Sequence, residues 1–188
     1  FVLSFIMTFG FAAIEQVFGF FLLARGIATP ENQPQRMGTI MAAVGLVGII
    51  IQGGLMGRLV KRFGEGSVAQ VGLGVLIIGY LSLLVPREYG LLIFLTTIPI
   101  SAGRALAGTS FSALISRKAN LGQGLTLSVS QSLDALARTA GPLTAGWLFH
   151  AFGPTVPYEF SASLTVVALA LTFIFPRMLK LTPPSEEA

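Results

Sequence analysis

Apolar residues in this chain run together in blocks of about twenty, the length a helix needs to cross a bilayer, and short segments rich in Pro, Gly and charge separate them. Six blocks, residues 2–24, 37–56, 68–85, 91–115, 125–149 and 157–176, predict six transmembrane helices and nothing of size between them. The linkers carry the expected breakers: Thr29-Pro30 and Gln33-Pro34, then Pro86, then Gly153-Pro154 with Pro157. Pro176 closes the last block, so a bundle over 1–181 is expected, with 182–188 as a disordered polar tail.

One pattern repeats. Gly57-Arg58-Leu59-Val60-Lys61-Arg62-Phe63-Gly64 follows the second block, and Gly146-Trp147-Leu148-Phe149-His150-Ala151-Phe152-Gly153 ends the fifth; both read G-x-L-x-x-x-F-G. The first copy is a basic turn and the second has no Lys or Arg. A turn at equivalent places of residues 2–85 and 91–176, basic in one copy alone, predicts two three-helix units of opposite orientation, an arrangement common in secondary transporters.

Composition strengthens the membrane reading. The chain of 188 residues is 53% hydrophobic and 11% charged, with mean hydropathy +0.79, where soluble domains carry about 25% charged residues. The net charge of +4 does not suggest nucleic acid, because the basic residues sit in turns beside apolar blocks rather than along an amphipathic face. Seven lie on one side (Arg58, Lys61, Arg62, Arg117, Lys118, Arg177, Lys180) and three on the other (Arg25, Arg36, Arg87). The richer side is expected to be cytoplasmic, in a bacterial cytoplasmic membrane, with both chain ends there. Without cysteine there are no disulfides, thiolate metal sites or thiol nucleophiles. Because the first residue is Phe1, the chain is expected to begin inside a longer polypeptide.

The turn and two further motifs resemble the major facilitator superfamily, whose members pair two six-helix halves. Gly57 to Gly64 is similar to that family's Gly-x-x-x-Asp-Arg-x-Gly loop, Arg104-Ala-Leu-Ala-Gly108 to its Arg-x-x-x-Gly motif, and Gly141-Pro142-Leu143-Thr144-Ala145-Gly146 to its Gly-Pro-x-x-Gly motif. Lys61 replaces the loop's Asp, and Glu65-Gly66 stand where basic residues would follow. Such departures are typical of the second half. The resemblance therefore implies an all-α membrane protein, the C-terminal half of a twelve-helix carrier resembling drug:proton antiporters, with the N-terminal six-helix half, membrane lipid, protons and a small molecule as partners. It also implies that Gly57, Arg58, Lys61, Arg62 and Gly64 form a gating loop and that Arg104 takes part in proton transfer.

The residues themselves single out four ionisable side chains deep in the blocks: Glu15, Arg104, Asp134 and Arg138. A charge at mid-membrane costs about 2.5–3.5 kcal/mol on insertion scales, so such residues face a bundle interior or a wet cavity. Glu15, with Phe9, Phe11, Phe18, Phe20 and Phe21 near it in sequence, is the first choice for proton coupling, because apolar surroundings disfavour the ionised form; a carboxylate that only bonds a neighbouring helix is the alternative. Asp134 and Arg138, four apart, share a face and are expected to pair, either as structure or as a pair that opens to a proton or cation. Arg104 is expected either to act in proton transfer or to pair with Glu15 or Asp134.

Gln16, Phe20, Gln52 and Gln131 are the candidate substrate contacts, with Ser128 and Ser132 as weaker ones, and the phenylalanine-rich first block suits an amphipathic, drug-like substrate. Pro99, Gly141, Pro142 and Gly146 are expected bends or close-approach points, and Gly45, Gly48, Gly53 and Gly57 a close-packing face. His150 and Trp147 read as interfacial anchors. No phosphate-binding Gly-x-x-x-x-Gly-Lys-Ser/Thr loop, metal-ligand spacing or Ser-His-Asp set occurs, so no cofactor, metal or enzymatic activity is expected. Proton-coupled efflux is the leading expectation; proton-coupled uptake of a metabolite and a non-transporting membrane scaffold are the alternatives.

Overall fold

The computed structural model describes residues 1–117 and 122–174. Lys118, Pro176, Arg177, Lys180 and the expected tail lie outside the described residues. Among the described residues are six long helices: α1 (Val2–Ala24), α2 (Gln33–Ile50), α3 (Met56–Ser82), α4 (Leu91–Arg117), α5 (Gln123–Phe152) and α6 (Val156–Ile174), with a π-helical turn, Ile51–Leu55, joining α2 to α3. Four stretches are long and apolar enough to cross a membrane: Val2–Ala24, Gln33–Ser82, Leu91–Arg117 and Val156–Ile174. The second of these is broken at Gly64, where the backbone leaves the helix. Gln131, Asp134, Arg138 and several Ser and Thr residues dilute the apolar character of α5.

The basic segment is not an eight-residue turn. Helix continues through Arg58, Lys61, Arg62 and Phe63, and only Gly64 departs from it, at φ 78° and ψ 156°. Nothing in that segment breaks a helix, because Leu, Lys and Arg are all good helix formers. The second predicted block therefore stops well short of the helical rod that contains it. Its sister behaves alike: α5 runs to Phe152, and Gly153 ends it at φ 111° and ψ 172°. Both values lie in a region that only glycine enters without strain. The repeated motif thus encodes a helical end closed by an obligatory glycine.

Contacts between helices support the two-unit construction. Exchanging α1 with α4, α2 with α5 and α3 with α6 maps the α1–α5 contact onto α4–α2 and α1–α6 onto α4–α3, and leaves α1–α4 and α3–α6 in place. Polar ties follow the same scheme. Thr8 Oγ1 donates to Asp134 Oδ1 across α1–α5, and Ser101 Oγ donates to the Val44 carbonyl across α4–α2. Ser161 Oγ donates to the Gly10 carbonyl across α6–α1, and Ser82 Oγ to the Thr96 carbonyl across α3–α4. Gln70 Nε2 donates to Thr172 Oγ1 across α3–α6.

Tight packing concentrates on a seam between α3 and α4. A Cβ at Gly103 would lie 2.5 Å from the Leu76 amide nitrogen, one at Gly72 2.6 Å from that of Ala107, and one at Gly79 2.7 Å from that of Ile100. Gly141 likewise meets the Phe9 carbonyl of α1, at 2.8 Å. Of the expected close-packing face only Gly48 meets a neighbour, its Cβ position lying 3.7 Å from Ser101 Oγ of α4; a Cβ at Gly45, Gly53 or Gly57 would meet nothing within 4 Å, and the same holds for Gly146 on α5. Those glycines face the cavity or the outside of the bundle. Pro99 and Pro142 sit inside unbroken helices.

Charges fix the two ends of the bundle. At the Gly64 end, Arg117 at the close of α4 pairs with the buried Glu65 at 3.1 Å. At the opposite end, Arg25 Nη2 donates to the carbonyls of Leu84 and Pro86, and Arg36 Nη1 donates to that of Ile27 while its guanidinium lies 4.6 Å from the centre of the Tyr89 ring. These arginines satisfy carbonyls in the turns that the helices leave open.

Candidate functional site

A cavity of about 600 Å³ lies among α1, α2, α4 and α5. Polar or ionisable lining comes from three of these helices and from the turn after the fourth: Thr8 and Glu15 from α1, Arg104 and Ser112 from α4, Asp134 and Arg138 from α5, and Gln52 from the π-helical turn after α2. All four ionisable residues expected from the sequence therefore meet in one place. Gln52 is the one expected substrate contact that joins them. Gln16, Phe20 and Gln131 are exposed but do not line the cavity; Phe20 instead lies edge-on to Phe149, with ring centres 6.5 Å apart. Ser128 and Ser132 spend their hydroxyls on carbonyls one turn back in α5, those of Gly124 and Ser128.

Pairings inside the cavity differ from those expected. Among the described residues the only ion pair is Glu65–Arg117, so Asp134 and Arg138 share a face without closing a contact within 4.0 Å. Asp134 accepts a hydrogen bond from Thr8 Oγ1 at 2.9 Å instead. Arg104 pairs with neither Glu15 nor Asp134; its guanidinium carbon lies 3.7 Å from the centre of the Phe11 ring. Glu15 and Arg138 line the same cavity. Nor is Glu15 wrapped in aromatic rings. Phe18 and Phe21 are buried against one another, Phe21 also against Tyr158 of α6, and of the five phenylalanines near Glu15 in sequence only Phe11 lines the cavity with it.

Sequence reading missed Thr8, Phe11 as a charge partner, Ser101, Ser112 and Glu65. Helical spacing held a signal for several of them. Ser4, Thr8, Phe11 and Glu15 recur at intervals of three and four, as do Ser101, Arg104, Ala105, Gly108 and Ser112, so each set lies on one face with the ionisable residue already identified. For Glu65 there was no such signal, because its partner is 52 residues away.

Convergence of charge from three helices inside a bundle of membrane-crossing helices defines an integral membrane protein with a polar interior site. Its fold is that of a membrane transporter: the POT family transporter PepTSo, solved in meso, superposes with TM-score 0.75 over 99% of this chain and 38% of that one, at 15% identity. In sequence the chain is similar to Multidrug resistance protein 2 of Bacillus subtilis (strain 168), 28% identical over 177 residues, which is 93% of this chain and 42% of that protein. The chain thus spans less than half the length of either. No family model matches it.

Proposed function

We propose that this chain is the C-terminal six-helix half of a major facilitator carrier that exports small amphipathic, drug-like molecules in exchange for protons by alternating access. The observation that carries this reading is the gathering of Glu15, Arg104, Asp134 and Arg138 around one cavity. Charges held in a membrane bundle without direct ion pairing are costly as mere structure and useful as proton carriers. The similarity to a multidrug resistance protein supports export over uptake. Exposed apolar residues on α2, Leu46, Ile49 and Ile50, and on α5, Leu136 and Leu143, suit packing against an N-terminal half. In this reading the Gly64 end is cytoplasmic, and Arg58, Lys61 and Arg62 anchor a helical gate there.

The test is ethidium export, measured as its accumulation inside everted membrane vesicles containing the full-length polypeptide. Glu15→Gln should abolish efflux driven by a pH gradient while expression is preserved. Undiminished gradient-driven efflux in that variant would remove Glu15 from coupling, and no ethidium movement by the native carrier would remove the drug-export reading.

A further inference from the structure

Phe11 and Glu15 stand one turn apart on α1, both facing the cavity, and Arg104 reaches across from α4 to the Phe11 ring rather than to the carboxylate beside it. Other charged and titratable groups around Glu15 are Asp134 and Arg138 on α5, with the exposed His150 further along that helix. The stretch of α2 that lines the cavity brings no charge, its Arg36 being at the far end, and Gln52 beyond it is neutral. Helix α6 carries the buried Tyr158 and the exposed Glu159, and α3, packed on α4, the buried Tyr80. Arg104 and Arg138 are thus the cations that share the cavity with Glu15, and Arg104 is the one seated on an aromatic ring one turn from it.

We propose that Phe11 is a positioning residue: its ring parks the Arg104 guanidinium off Glu15, so that the carboxylate stays free to take up and release a proton. The inference rests on the proposed role of Glu15 in proton coupling. A guanidinium over an aromatic face is held by about 0.5–2 kcal/mol, enough to bias its position and small enough to let it move during a transport cycle. A carboxylate in direct contact with arginine holds its charge far more strongly. Removal of the ring frees Arg104 to move to a cavity carboxylate, and Asp134 already accepts from Thr8, which leaves Glu15 as the carboxylate to receive it.

The experiment uses the full-length polypeptide in its membrane and dicyclohexylcarbodiimide, which modifies protonated carboxyl groups. Peptide mass spectrometry gives the fraction of Glu15 modified at each pH. Phe11→Leu and Phe11→Met, two apolar replacements that lack a ring, should both move this curve to lower pH by at least one unit, a tenfold change in proton affinity, and Phe11→Tyr should leave it in place. Adding Arg104→Gln to Phe11→Leu should reverse the shift. A curve unmoved in both Leu and Met variants, or a shift that survives Arg104→Gln, overturns the proposal. Because labelling needs no transport, its outcome is separate from that of ethidium efflux: an unmoved curve with efflux still dependent on Glu15 defeats this inference alone.

Discussion

Replacing Gly103 by alanine should destabilise the bundle although alanine is the better helix former. The added Cβ would meet the Leu76 nitrogen at 2.5 Å, the Gly72 oxygen at 2.7 Å and the Leu76 Cα at 2.8 Å, all backbone atoms that no rotamer change can move. Restoring ordinary contact requires α3 and α4 to part by about 1 Å, which costs each facing atom pair up to half of its ~0.1–0.2 kcal/mol. Over roughly forty pairs along the seam this amounts to about 2 kcal/mol, within the range seen for overpacked cores. Helix propensity returns about 0.5–1 kcal/mol. A net loss of about 1–2 kcal/mol is large here, because helices in lipid associate through close packing without a hydrophobic drive. The assay is unfolding by SDS in mixed micelles followed by circular dichroism, with Gly74→Ala as control, since nothing lies within 4 Å of a Cβ there. Combining Gly72→Ala with Gly103→Ala should cost less than the two separately, because one separation serves both. A Gly103→Ala variant as stable as Gly74→Ala would refute the reasoning.

Gly64→Ala should cost about 1–3 kcal/mol in the same titration, because alanine is strained at φ 78° and ψ 156°; Gly57→Ala, in open helical surroundings, should be neutral or slightly stabilising. Thr8→Val removes the donor to Asp134 and should cost about 1.5–3 kcal/mol, as for a hydrogen bond to a charged group, while carbodiimide modification of Asp134 at fixed pH increases, measured by peptide mass spectrometry.

Block length, charge asymmetry and the repeated motif made the six-helix plan legible, because bilayer thickness constrains sequence directly. Where helices end was less legible. Arg58 to Phe63 read as a turn because charge usually marks a loop, yet charge does not break a helix, and the rod simply extends beyond its apolar block to the one residue that does. The two Gly-x-Leu motifs were recognised as a repeat for their spacing, while their common physical content, a terminal glycine at positive φ, appears only in the backbone. The glycine seam was invisible for a related reason: Gly72, Gly79 and Gly103 look no different in sequence from Gly45 and Gly53, and the neighbouring helix alone decides which of them are crowded.

At the site, residue types were legible and partners were not. A charge within an apolar block announces itself, so Glu15, Arg104, Asp134 and Arg138 could be named, and helical spacing correctly put Asp134 and Arg138 on one face. Spacing also suggested that they pair, but α1 offers Asp134 a hydroxyl at 2.9 Å and offers Arg104 an aromatic face, neither of which can be read along a single helix. The difference bears on mechanism. Two closed ion pairs would make the four charges self-sufficient and difficult to titrate. A carboxylate held by one threonine, and an arginine held by a ring, leave both able to change partners, as a carrier that takes up a proton on one side of a membrane and releases it on the other requires.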